Sequence, residues 1–444
     1  MRIKLSDHFT YKKLLRFTFP SIVMMIFTSI YGVVDGYFVS NYAGKTPFAA
    51  VNFIYPFIMI LGAFGFMLGT GGSALIAKTL GEGKQEKARK LFSMFVYISI
   101  GLGVAVALLG IIFIRPVASM LGAEGEMLEY CVIYGRIILA VLPFFMLQLE
   151  FQSFFVTAEK PLLGLLVTVV SGVTNMVMDA VLVILLPQEL KLVGAAIATA
   201  LSQFVGGVIP LVYFSRKNAG ILRFVKPEFD GKALLKACTN GSSELLSNIS
   251  MSIVSMLYNF QLLKYAGEDG VAAYGVLMYV NFVFLSAYIG YSVGVAPIIG
   301  YHYGAKNTVE LKGLLRKSFV IIGVCSVLMM LLAFLTAKPL SVFFVGYDKA
   351  LTELTLRGFT IFSLSFLFSG VAIFGSGFFT ALNDGLVSAI ISFMRTLVLQ
   401  VVCVLTLPLI FDIDGIWVSG VVAEAVAAAL TLILLLAKRK KYQY

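Results

Sequence analysis

Two histidines and four cysteines are all that this 444-residue chain offers a transition metal, and Cys131, Cys238, Cys325 and Cys403 stand far apart with no C-x-x-C pair. Neither a zinc site nor a disulfide framework is expected. Charge is scarce as well: 13% of the residues are Asp, Glu, Lys or Arg, about half the share of an ordinary soluble domain. With 59% hydrophobic residues and a mean hydropathy of +0.95, the chain falls outside the soluble globular class. Also missing are the phosphate loop G-x-x-x-x-G-K-[S/T] and the G-x-S-x-G elbow of serine hydrolases, so neither nucleotide hydrolysis nor acyl transfer has its machinery. The net charge of +11 is not arranged as a basic stripe with interleaved aromatics. Lys and Arg sit in short loops between apolar runs, where they suit anionic lipid headgroups. No enzyme activity, no cofactor and no nucleic-acid partner is expected.

What the chain does have is apolar runs of spanning length, at about 14–39, 48–79, 88–114, 127–156, 161–186, 190–214, 237–265, 271–301, 309–335, 350–381, 385–410 and 414–437. Backbone polar groups must be satisfied internally in lipid, so these runs predict an all-α polytopic membrane protein with twelve transmembrane helices. The first run follows a basic leader and lacks a small-residue cleavage site, so it reads as a retained helix and not as a signal peptide. Of the 34 Lys and Arg, Arg136, Arg357 and Arg395 fall within spans, and Lys45, Arg115, Lys191, Lys264, Lys338 and Lys349 fall on one face. The remaining 25 share the other face with both termini, which predicts cytoplasmic termini.

The longest polar connection, 215–236, divides the chain into an N-terminal six-helix lobe (1–214) and a C-terminal one (237–444), with a cytoplasmic linker between them. The halves resemble one another at a fixed offset of 223 residues. Tyr42-Ala43-Gly44 meets Tyr265-Ala266-Gly267, Gly71 meets Gly294, Gly81 meets Gly304, Arg115-Pro116 meets Lys338-Pro339 and Thr157-Ala158 meets Thr380-Ala381. Six helices per copy keep both copies in one orientation. The lobes are therefore parallel repeats about an axis along the membrane normal, an arrangement that places a cavity between two rocking halves in many secondary transporters.

Within these spans stand polar residues that lipid would penalise. Asp35 lies in span one, Asn175 and Asp179 four residues apart in span five, and Thr199 in span six. At 1.5 Å per residue they lie about 9, 16, 10 and 14 Å below the outer surface, in that order, so four oxygen-bearing side chains share one slab. A carboxylate in hydrocarbon costs about 3 kcal/mol or more, so it is expected to face a protein interior and bind something. Two neighbouring carboxylates cannot both ionise cheaply; they would share a proton or hold Na⁺, either being a fit for hard oxygen ligands. Taken alone, Asn175 and Asp179 could also be interhelical glue, and Thr199 a hydroxyl bonded back to its own helix.

At the same offset Asp35, Asn175 and Asp179 become Tyr258, Val398 and Val402, so this acidic cluster belongs to one lobe only. The second lobe offers Glu244, Tyr258, Gln261, Asn281 and Glu424 as candidate cavity residues, with Arg395 placed to pair with Glu424. Glu244 and Glu150 sit near helix ends where hydration is expected. Pro20, within span one, is a candidate hinge. Gly69-Thr70-Gly71-Gly72 in span two reads as small residues that let helices approach closely.

Pro20 followed by VDGYFVS in span one, LGEGKQEKARK after span two, GYHYGAKNTVELK after span eight, N-x-x-x-D in span five and GIWVSGVVAE in span twelve together resemble the multidrug and toxic compound extrusion (MATE) family, over essentially the whole chain. The resemblance implies two six-helix lobes around a V-shaped cavity and antiport of Na⁺ or H⁺ against organic cations or other xenobiotics. It implies a cation site at Asp35, Asn175, Asp179 and Thr199, in the bacterial and archaeal form that keeps its carboxylates in the first lobe. His302 stands where that loop usually has Asn, with no expected effect on transport. The expected partners are a small organic molecule, a monovalent cation and membrane lipid, with the chain acting as a monomer in a bacterial or archaeal cytoplasmic membrane. A lipid-linked oligosaccharide flippase of the same wider superfamily, or a non-transporting membrane scaffold or receptor, is the alternative.

Overall fold

A computed structural model describes residues 3–216 and 220–444; residues 217–219 of the expected linker and the first two of the basic leader lie outside it. The described chain is helical, and twelve spans emerge once breaks within long helices are counted. They are α1 (Tyr11–Phe38), α2 (Lys45–Gly81), α3 (Gln85–Met120), α4 (Gly125–Ala140 and Leu142–Thr157, bent by 58°), α5 (Pro161–Leu185) and α6 (Lys191–Ser215). The helix Gly231–Gly304 breaks at Gly267, where φ is 64°, giving α7 (231–266) and α8 (268–304). Then come α9 (Thr308–Val345), α10 (Lys349–Phe362 and Phe366–Ala381), α11 (Gly385–Phe393 and Leu399–Thr406) and α12 (Pro408–Tyr442), the last with a non-helical residue at Asp412.

Side-chain caps start four of these helices: Thr10, Asp230, Asn307 and Asp348 each accept from a backbone N–H of the first turn. The internal repeat is visible in the backbone. Gly44 (φ 110°) and Gly267 (φ 64°) make the turns after α1 and α7, and Gly83 (φ 77°) and Lys306 (φ 56°) those after α2 and α8. In both pairs the partners lie 223 residues apart. α4 breaks at Val141 and its counterpart α10 at Ser363–Ser365.

The lobes meet through glycine. A Cβ added to Gly71 would lie 1.9 Å from the Ala237 carbonyl oxygen, one on Gly241 1.9 Å from that of Met67, one on Gly81 2.0 Å from that of Tyr301, and one on Gly304 2.1 Å from that of Lys78. Backbone thus touches backbone where α2 crosses α7 and α8, as the small residues of span two predict. α1 joins the seam where Gly290 would meet Ile22 and Gly294 would meet Thr18. All these residues lie in the half of their helix nearer the face that carries the termini. Farther along, Ser29 and Ser286 share a hydrogen bond, and beyond them the exposed Tyr37, Tyr55, Met256 and Tyr279 mark diverging surfaces. The two halves form a V closed at the terminal face.

The connection between lobes is fastened along α3. Arg89 Nε donates to the Ile221 carbonyl at 2.9 Å, the Val225 N–H to Ser93 Oγ at 3.0 Å, and Lys90 pairs with Glu228 at 2.7 Å. Phe224 stacks on the fully buried Phe92.

Candidate functional site

Asp35 stands in the last turn of α1, just before a widened π turn, Val39–Ala43. The Ala43 carbonyl at the end of that turn accepts from Gln188 Nε2 at 2.9 Å, which ties the end of α1 to the turn before α6. α5 presents Asn175 and Asp179, both buried, on the face it packs against α1 and α6. α6 brings Thr199. Asn175 Nδ2 donates to Thr199 Oγ1 at 3.4 Å, and Thr199 Oγ1 donates onward to Asp35 Oδ1 at 3.3 Å. The hydroxyl serves its neighbours and is not bonded back to its own helix.

The Asp35 and Asp179 carboxyl groups lie close enough for each to influence the other's charge. Among the described residues neither oxygen of the fully buried Asp179 has a donor, and Asn175 Oδ1 has none either. Among the described residues no Lys or Arg forms an ion pair with either carboxylate. Unpartnered buried acceptors converging on one point need a proton or a hard cation to complete them, and oxygen-only donors suit Na⁺. The structure thus brings together all four residues singled out in the first lobe.

Sequence reasoning passed over two neighbours. Tyr134, fully buried in the first half of α4, lies beside Thr199, Asp35 and Asp179. Gln148, past the bend of α4, donates from Nε2 to Ser171 Oγ at 3.1 Å, and Ser171 donates to the Ser202 carbonyl at 2.7 Å. This bracket holds α4, α5 and α6 together below the carboxylates. A phenol and an amide inside apolar spans were the available signal.

In the second lobe a cavity of about 270 Å³ opens among α7, α8, α10, α11 and α12. Glu244, Tyr258, Asn281 and Glu424 line it; Gln261 does not, being buried one turn beyond Tyr258 outside the wall. Arg395, in the π turn Met394–Val398 of α11, donates from Nε to Glu424 Oε2 at 2.9 Å, the pairing expected from the sequence. Tyr258, the counterpart of Asp35, donates to Gln400 Oε1 at 2.8 Å and stacks on Tyr274 at 5.2 Å. A phenol–amide hydrogen bond from α7 to α11 thus stands where the first lobe has its carboxylate pair between α1 and α5.

Three expectations need correction or refinement. Glu150 does not hydrate: it is fully buried, with both carboxyl oxygens unpartnered among the described residues, because the bend at Val141 turns the second half of α4 into the lobe, where Gly69 rests on its backbone. His302 is not in a loop; it is buried in the last turn of α8, with its ring edge-on to Phe9 of the N-terminal segment. Pro20 lies well inside α1, as its tenth residue, and the helix continues through it.

The MatE family model matches residues 20–181 and 245–406, one stretch in each lobe. Among curated proteins, the multidrug export protein MepA of Staphylococcus haemolyticus (strain JCSC1435) is 27% identical over 434 residues, covering 97% of this chain and 94% of that protein. MepA of Staphylococcus aureus (strain MRSA252) is 24% identical over 426 residues, covering 96% and 93%. Among solved structures, an outward-facing conformation of a multidrug resistance MATE family transporter of the MOP superfamily superposes with a TM-score of 0.92 at 22% identity, over 98% of this chain and 97% of that one. A MATE structure in the bent conformation gives 0.88 at 22% identity, over 99% and 98%.

Proposed function

The chain belongs to the MatE family, and on that footing we propose that it is a secondary antiporter that exports organic, often cationic, drugs or toxic compounds in exchange for Na⁺ or H⁺, by alternating access of its two lobes. It works as a monomer in a bacterial or archaeal cytoplasmic membrane, with both termini inside. Its relatives named as multidrug exporters support the substrate class, and the excess of Lys and Arg on the terminal face supports the orientation. With that orientation, the V closed at the terminal face is the outward-open state.

The single observation that carries the reading is the convergence of Asp35, Asp179, Asn175 and Thr199 on a point where, among the described residues, oxygens go unpartnered and no basic counter-charge is present. An incoming cation offsets the repulsion between the two carboxyl groups and lets α1, α5 and α6 draw together. When it leaves to the cytoplasm the carboxylates repel and the packing of the first lobe relaxes. A ligand moves such an equilibrium only by the difference in its affinity for the two states. Exchange of one monovalent ion for one monocation moves no net charge, so a tenfold ion gradient, about 1.4 kcal/mol, sustains at most about a tenfold substrate gradient.

Dye efflux with Na⁺ and pH varied independently tests the reading. Efflux should follow one ion gradient and stop when that gradient is collapsed. Full efflux with neither gradient present would remove the antiport.

A further inference from the structure

The segment before α1 crosses the closed end of the V and is bonded to both of its sides. Asp7 fixes its shape: the Lys4 N–H donates to Asp7 Oδ2 at 3.0 Å, and the Lys13 ammonium, in the first turn of α1, pairs with the same oxygen at 2.7 Å. Leu5 and Phe9 are buried, while Lys4, Ser6, His8 and Thr10 are exposed. Two apolar side chains are thus set into the protein from a segment whose other side faces water.

On the first-lobe side, the Leu5 N–H donates to Glu159 Oε1 at 2.8 Å, in the turn between α4 and α5. On the second-lobe side, Glu310 in the first turn of α9 accepts from the Phe9 N–H on Oε1 at 2.9 Å, and its Oε2 stands 2.6 Å from His8 Nδ1. Lys317, about two turns farther along α9 and so on the same face, donates to the Phe9 carbonyl. Between these anchors lies His302 of α8, next to Tyr301, whose carbonyl meets Gly81 of α2. The His302 ring is edge-on to Phe9 and faces the backbone of Leu5 and Asp7. The segment therefore passes over a point where the lobes touch.

A segment tied to one body is ordinary anchoring. A segment tied to two bodies that separate is different, because its bonds to Glu159 and to Glu310 cannot both survive. A hydrogen bond is lost beyond about 3.5 Å, and an opening that passes an organic molecule is wider than that. The burial of Leu5 and Phe9 is lost with the bonds.

We propose that residues 4–10 are a cytoplasmic strap that holds the outward-open state: Glu310 and Lys317 of α9 are its catch, Leu5 and Phe9 its apolar pegs, and its release is required before the terminal ends of the lobes part. The proposal rests on the reading of the chain as an alternating-access transporter with its termini inside. The strap sets the balance between the two states without touching ion or substrate. A ligand binds more weakly in proportion as its competent state is depopulated, so freeing the strap lowers the apparent affinity for the ion taken up from outside.

The test is labelling of the full-length chain by a membrane-impermeant thiol reagent in vesicles of either orientation, with the native cysteines replaced by alanine and one reporter introduced at a time. Ala77→Cys reports the seam from the terminal face, where Ala77 packs on Gly300 of α8, and Met256→Cys reports the outer mouth. Phe9→Ala and Glu310→Ala should each speed labelling at Ala77→Cys about fivefold or more and slow it at Met256→Cys about twofold or more, since opening one end closes the other. Glu310→Gln keeps an oxygen for the Phe9 N–H and should lie between Glu310→Ala and the parent. Lys312→Ala, exposed on the same helix, should match the parent. Gel filtration and melting profiles show that each variant is folded, and His8→Ala, at an exposed site, carries the test if Phe9→Ala does not fold. Parent rates at both reporters in the folded variants overturn the strap. So does faster labelling at Ala77→Cys with no change at Met256→Cys, which reduces the segment to a cover. The labelling needs no ion gradient, so failure of the antiport shows separately, as efflux indifferent to both gradients whatever the reporters do.

Discussion

The Thr199 hydroxyl donates to Asp35 Oδ1 across 3.3 Å, linking the middle of α6 to the last turn of α1, while its oxygen accepts from Asn175 of α5. One small side chain thus couples three helices around the carboxylate pair. A hydrogen bond to a charged group contributes about 1.5–3 kcal/mol, equivalent to about one to two decades in affinity. Thr199→Val should raise the half-saturating concentration of the coupling ion by about tenfold or more, with dye efflux at saturating ion close to wild type. An unchanged ion dependence would show that the hydroxyl has no part in the site.

The seam at the terminal face depends on the absence of side chains. In Gly71→Val the new Cβ would lie within 1.9 Å of the Ala237 oxygen, which forces α2 off α7. Overpacking of this kind costs about 1–3 kcal/mol, and here the strain is relieved by parting the lobes. The variant should expose the seam to a membrane-impermeant thiol reagent through a cysteine placed at the buried Ala74 or Ala77 of α2. Protection equal to the parent would contradict the closed seam.

Arg395 and Glu424 neutralise one another in a low-dielectric wall. Arg395→Met strands Glu424, and stranding one member of a buried pair costs about 3–5 kcal/mol. The single variant should melt well below wild type. Arg395→Met combined with Glu424→Gln should recover most of the loss, because no charge is left unpaired. Additive losses in a double-mutant cycle would show that the two do not interact.

Glu228 presents the opposite case. The Lys90 ammonium at 2.7 Å holds its carboxyl below the usual carboxylate range, but the pair is exposed. A lowered carboxyl contributes stability above its unfolded pKa and loses it only as the pH falls through the lower folded value. Glu228→Gln should therefore change the melting curve only slightly between pH 6 and 8, and that small difference from wild type should vanish in acid. A marked loss at neutral pH would show that this ion pair, and not the Phe224–Phe92 stack, fastens the linker.

The twelve spans and the repeat were legible because lipid imposes long apolar runs and loop punctuation survives in register: Gly44 and Gly267, paired by their shared Tyr-Ala-Gly, both adopt positive φ. The first-lobe cluster was legible because Asp35 and Asp179 are conspicuous in hydrocarbon and helix rise fixes depth. Rotation about each helix axis is not fixed that way, which is why Gln261, expected in the cavity wall, does not reach it. The bend at Val141 and the N-terminal segment over α8 arise from tertiary packing, and they bury Glu150 and His302 where sequence position suggested water. Tyr134 was passed over because a tyrosine in an apolar span is most often packing; only its neighbours reveal its place.

Coupling through the carboxylate pair is tested most directly by imposing a ΔpNa or ΔpH across proteoliposomes holding the wild type or the double variant Asp35→Asn, Asp179→Asn, and following efflux of a fluorescent organic cation. The variant keeps the shape of the site and removes both charges. It should reconstitute normally yet show no gradient-driven efflux, while passive exchange of the dye persists. Gradient-driven efflux by the double variant at the wild-type rate would contradict coupling through these two carboxylates.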